Sequence, residues 1–126
     1  MSQPMIERIR QLFGLSVENK MAIAEAIGPL IAQASTRLVE CLLNDGKILI
    51  CGNGGSAANG LHFSTALLNH FGVERPSLPA ISLMSDITTL TSMVNDNQVD
   101  QIFSKQINAF MKKQAQQFIS DLSSVE

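Results

Sequence analysis

An apolar run, Ile48-Leu49-Ile50-Cys51, passes without a gap into Gly52-Asn53-Gly54-Gly55-Ser56 and then into a helical pattern from Ala57, and this junction constrains the fold more than any other part of the 126-residue chain. A buried strand that turns through glycines into a helix is the first part of a parallel crossover. Glycines let backbone amides come close to an anion, the helix start adds the positive end of its dipole, and Ser56 adds a hydroxyl donor. The turn from Gly52 to Ser56 is therefore a candidate phosphate cradle. The turn lacks the Lys of a Walker loop and its glycines are not spaced as GxGxxG, so a sugar phosphate fits it better than a nucleotide. The alternative is a tight connection in which Asn53 and Ser56 serve only as turn and cap residues.

On either side of this junction the pattern alternates helix and strand. Ile6, Ile9, Phe13, Val17, Met21 and Ala24 recur at helical spacing and predict a long first helix. Gly28-Pro29 punctuates it, and Ile31, Ala34, Leu38, Cys41 and Leu42 predict a second helix that ends at Asn44-Asp45-Gly46. A strand is expected at 47–51, a helix at 57–71, a proline-bearing loop at 75–79 and a second strand at 80–83. Ser85 or Asp86 can cap a short helix that runs through Val94. Strand, helix, strand in this order implies a right-handed parallel crossover. From Val99 to about Asp121 no Gly or Pro interrupts, and Phe103, Ile107, Phe110 and Phe118 share a face, which predicts one continuous helix.

Composition narrows the function classes. With 45% hydrophobic and 16% charged residues and a net charge of −2, the chain reads as one globular domain, with no electrostatic reason to bind nucleic acid directly. No apolar stretch is long enough for a membrane span and the N-terminus has no signal-peptide core, so a cytoplasmic protein is expected. Cys41 and Cys51 show no metal-ligand spacing; buried free thiols are the expectation, with no metal and no cofactor.

At CGNGGSAANGLHF, residues 51–63, the chain resembles the sugar isomerase (SIS) domain family, and its phosphoheptose isomerase branch in particular. The likeness continues through ERPSLPAISL at 74–83 and VNDNQVDQIFSKQI at 94–107, covering roughly residues 5–110. Within the branch it is nearest the DiaA group, whose members associate with the replication initiator DnaA. The resemblance implies an α/β fold with a doubly wound parallel sheet, assembled as a homo-oligomer, dimer or tetramer, in which several subunits reach each site. The expected architecture here is the N-terminal half of that sheet flanked by helices, with a long N-terminal helix. Within a single partial domain, 1–126, residues 1–45 would be oligomerisation helices, 46–110 the strand, glycine loop, helix and strand core, and 111–126 a divergent tail. Where the family continues through a Gly-Asp turn, a strand and a second Ser/Thr phosphate loop, this sequence reads KKQAQQFISDLSSVE, which suggests a truncated or frameshifted product.

The resemblance also assigns chemistry. Aldose-ketose isomerisation needs a base that moves a proton between adjacent carbons. The family's His falls on His62, but the Glu four residues later, usually assigned as the base, falls on Ala66, and Thr65 and Glu74 are not replacements. A lone His with Ala at i+4 holds a metal poorly. No catalytic residue is therefore expected, and His62 is a vestigial candidate whose other role is that of a hydrogen-bonded helix residue. The phosphosugar-binding candidates are Asn53, Gly54, Gly55, Ser56 and Asp96, the last also suited to a helix cap. Arg75 could reach a neighbouring subunit's site, and His70 suits a helix C-terminus. The implied function is that of a DiaA-like phosphosugar-binding and assembly protein with a DnaA-type initiator as partner. The alternative is a phosphoheptose isomerase acting on sedoheptulose 7-phosphate, or an inactive relative of it.

Overall fold

The computed structural model describes residues 3–111, and the chain divides into two compact units, residues 1–44 and the part from Asp45 onward. The first unit is a single helix, α1 (Gln3–Leu43), of 41 residues and about 60 Å by helical rise. This corrects the expected break at Gly28-Pro29, since Pro29 lies inside the helix. Proline there removes one backbone bond and costs about 3 kcal/mol. Propagation on both sides is cooperative, and ending one helix to nucleate another would forfeit more. Ser35 and Thr36 return their hydroxyls to the Ile31 and Ala32 carbonyls, at 2.9 and 3.1 Å, as residues within an unbroken helix do. No described residue of α1 is buried; Phe13 and Met21 are 71% and 67% exposed. A helix with this apolar stripe is not stable alone in water, so its stability has to come from packing.

The second unit is built on a two-stranded parallel sheet. Strand β1 (Ile48–Ile50) pairs with β2 (Ala80–Ser82) in the register Ile48 to Ala80, Leu49 to Ile81 and Ile50 to Ser82. Between them runs α2 (Gly55–Leu68), which ends three residues before the expected Phe71. Gly60 brings α2 onto the sheet: a Cβ there would stand 2.8 Å from Ile50 Cγ2. Among the described residues, Ile48, Ala80 and Leu83 are the buried hydrophobic side chains and Ser64, Ser82 and Gln106 the buried polar ones.

After β2 comes α3 (Ile87–Asn95), capped at Asp86 as expected. Its end is set by Asn97, at φ 56°: the Gln98 amide bonds the Met93 carbonyl at 2.8 Å and the Asn97 amide bonds that of Val94 at 3.1 Å. This is a Schellman closure with Asn in the left-handed position. A 3₁₀ turn, Val99–Gln101, and α4 (Ser104–Phe110) follow. The expected continuous helix from Val99 is thus corrected within the described residues, because it is broken before Ser104 and stops at Phe110, with Met111 extended at φ −82°, ψ 148°. Long-range bonds outweigh local propensity here. The buried Gln106 side chain donates to the carbonyls of Leu83 at 3.0 Å and Ile102 at 2.7 Å, and Lys47 Nζ donates to the Phe110 carbonyl at 3.4 Å. The remainder of that expected helix, with Phe118, and the tail from Lys112 lie outside the described residues.

Candidate functional site

Both strands of the parallel pair deliver a helix start at their carboxyl ends, where ligands bind in open α/β sheets. At α2 the start is bare. Gly54, at φ 54°, is the N-cap and offers no side chain. The Asn53 carbonyl takes the amides of Ser56 at 3.0 Å and Ala57 at 3.3 Å, so those two already have a partner. Among the described residues, no backbone carbonyl accepts from the amides of Gly54 and Gly55. These, with the exposed Ser56 hydroxyl, remain as donors. The turn stays tight because Gly52 has no side chain: a Cβ there would lie 2.9 Å from the carbonyl carbon, Cβ and oxygen of Ser56.

At α3 the start is filled. Asp86 Oδ1 accepts from the Thr89 amide at 3.0 Å and Oδ2 from the Thr89 hydroxyl at 2.6 Å. The Thr89 hydroxyl and then its amide hold the Asp86 carboxyl below its ordinary value of 3.8, against a small opposing effect of desolvation. A carboxylate already occupies the anion position of α3, whereas no side chain caps that of α2.

Along α2 the second feature is a concavity of about 460 Å³ lined by Asn59, His62, Phe63, Ala66, Leu67, Phe71 and Arg75. His62 and Ala66 share it, as their i, i+4 spacing requires. Ala66 brings no carboxylate. Arg75, half-buried, closes the C-terminal end of α2: Nη1 donates to the carbonyls of Leu67 at 3.0 Å and Pro76 at 2.9 Å, and Nη2 to that of Ala66 at 2.5 Å. A guanidinium on these carbonyls complements the helix dipole and fixes the rim of the concavity. The sequence places Arg75 on a loop but does not show this docking, which depends on eight- and nine-residue returns of the chain.

The remaining candidates are dispersed. Asp96 is the exposed C-cap of α3, at the opposite end from Asp86, and is not part of the concavity. His70 lies beyond the end of α2 rather than within it. Cys51 is exposed and Cys41 half-exposed, which corrects the expectation of two buried thiols: β1 ends at Ile50, leaving Cys51 in the turn. Asn59 and Gln106 are the polar residues that sequence reasoning missed. Asn59 had a usable signal, its position three residues after Ser56 and three before His62. Among the described residues there is no cluster of three or more His, Cys, Asp and Glu able to hold a metal, and no helix long and apolar enough to cross a membrane.

Fold and motif together define a class. The SIS domain family matches residues 16–121, and the chain belongs to that family. It is 52% identical over 105 residues to the phosphoheptose isomerase of Colwellia psychrerythraea, covering 83% of this chain and 54% of that protein. It is 51% identical over 105 residues to the phosphoheptose isomerase of Shewanella sp. (strain ANA-3), covering 83% of this chain and 53% of that one. Among solved structures, a phosphoheptose isomerase from Francisella tularensis superposes with TM-score 0.75 at 45% identity over 85% of this chain and 55% of that chain. The enzyme from Neisseria gonorrhoeae gives 0.75 at 37% identity, over 86% and 55%. The chain spans about half the length of the relatives it matches.

Proposed function

We propose that this chain is a phosphosugar-binding domain of the phosphoheptose isomerase branch, which takes a sugar phosphate such as sedoheptulose 7-phosphate at the turn opening α2 and does not isomerise it unaided. The observation that carries this is the unfilled helix start. The Gly54 and Gly55 amides and the Ser56 hydroxyl can donate to phosphate oxygens along the helix axis, while Asp86 closes the neighbouring start. Relatives that carry the name phosphoheptose isomerase support the ligand class. Against turnover stands Ala66. Moving a proton between adjacent carbons requires a base, a positioned acid or base contributes about 10² to 10⁴-fold, and the groove around His62 offers no carboxylate. A titration of the purified chain with sedoheptulose 7-phosphate, followed by amide NMR, should move resonances at Gly54 to Ala57 and generate no isomer. Product formation that disappears in His62→Ala overturns the non-catalytic part, and shifts scattered away from the turn overturn the site.

Ala66 also favours a second reading, since the sequence resemblance to the DiaA group implies the same absence of a carboxylate there. In that case the chain is a cytoplasmic assembly protein that engages a DnaA-type initiator and keeps the pocket as a vestige. Retention of purified DnaA by the immobilised chain, without sugar-phosphate shifts at the turn, would put this reading first. The apolar stripe of α1 supports a homo-oligomer in either case, and sedimentation of the same sample as a stable folded monomer would exclude one.

A further inference from the structure

The Gly54–Ser56 turn and the concavity around His62 lie on one helix, and a single residue bridges them. Ser56, Asn59 and Phe63 stand at i, i+3 and i+7 of α2, on a common face, and His62 is one position from it. By helical rise Asn59 lies about 4.5 Å and His62 about 9 Å further along the axis than Ser56, so a ligand held by its phosphate at the turn extends its body over Asn59 toward His62. Asn59 is exposed, lines the concavity, and its carboxamide is not engaged by any hydrogen bond among the described residues. It presents both a donor and an acceptor, which is what a hydroxyl or carbonyl oxygen of a sugar backbone requires. His62, the next polar side chain along the concavity, is reached after Asn59, and the rest of the lining offers less. Arg75 spends three of its donors on backbone carbonyls, and Phe63, Ala66, Leu67 and Phe71 provide no polar atom.

We propose that Asn59 is a specificity-determining residue of this site, reading an oxygen on the ligand body while the turn holds the phosphate. The assignment rests on the phosphosugar reading above, and the experiment separates the two. Affinities of the full chain and of Asn59→Ala are measured for inorganic phosphate and for sedoheptulose 7-phosphate. Alanine is a strong helix former at this exposed position, so the variant keeps α2. Phosphate affinity stays within twofold of the parent, while sugar-phosphate affinity falls about 3- to 10-fold, the equivalent of one lost neutral hydrogen bond. Equal losses for the two ligands, or no loss for either, overturn the role of Asn59 and leave the phosphate turn in place. Failure of the parent chain to bind either ligand overturns the phosphosugar reading and this assignment with it. Asn59→Asp supplies a second check: it keeps size and acceptors but adds a negative charge beside an anionic ligand, and it weakens sugar-phosphate binding further than alanine does.

Discussion

Two helices leave the carboxyl edge of the same small sheet, and they treat the positive ends of their dipoles in opposite ways. α3 is closed by its own carboxylate, with Asp86 bonded twice to Thr89. α2 is led in by Gly54 without any side-chain cap. A capped helix gains stability from its own sequence. A bare one forgoes that gain and keeps amides for something else. The comparison separates a helix start with free amides, at α2, from one closed by its own side chain, at α3.

The strongest way to break the contrast is Gly52→Ala. The added methyl would sit 2.9 Å from Ser56 backbone atoms, which belong to the helix and cannot rotate away. The turn has to open, at a cost of about 1–3 kcal/mol, and phosphate affinity should fall more than tenfold in the same titration. A variant that keeps both melting temperature and affinity would show that the tightness of the turn is irrelevant to binding. Ser56→Ala is a smaller intervention. It removes one exposed hydroxyl and leaves the Gly54 and Gly55 amides, so affinity should weaken about 3- to 10-fold with the circular dichroism unchanged. An unaltered affinity would assign Ser56 to the turn alone.

The smallest effect is expected at α3. Asp86→Ala removes the carboxylate that competes with an external anion, and phosphate should then shift the Thr88 and Thr89 amides, which do not respond in the parent chain. Because hydrogen bonding lowers the folded-state value of Asp86 below 3.8, its contribution to stability is present above that pH and is lost as pH falls through the lowered value. The difference in thermal stability between parent and Asp86→Ala should therefore be largest near neutral pH and vanish in strong acid. A gap that widens on acidification would contradict the cap.

Legibility in the sequence follows the range of the forces involved. The short strands, the glycine turn, the Asp86 cap and the helical character on both sides of Pro29 are written in neighbours a few residues apart, and each is present. What failed was the assumption that local signals are also sufficient. Pro29 is a strong breaker on paper, yet cooperative propagation carries α1 through it. The stretch from Val99 contains no Gly or Pro, yet among the described residues it splits into a 3₁₀ turn and α4 and stops at Phe110, while the Gln106 side chain ties it to the Leu83 carbonyl. The candidate site divides in the same way. The glycine turn before α2 was legible, whereas the acceptance of the Ser56 and Ala57 amides by the Asn53 carbonyl was not, and Asn59 was missed despite its spacing from Ser56 and His62.

By itself the sequence determined the class of fold, because hydrophobic period and turn chemistry act over a few residues and need no partner to be read. It also places Ala66, not a carboxylate, four residues after His62, whatever the chain does around it. Only the tertiary structure decided which helix start stays open, how Arg75 closes the end of α2, and that Phe71 and Arg75 wall the concavity over His62, Ala66 and Asn59. Those outcomes depend on parts of the chain returning to one another, through the pairing of β1 with β2 and the Arg75 bonds, and single-residue preferences carry no information about such returns.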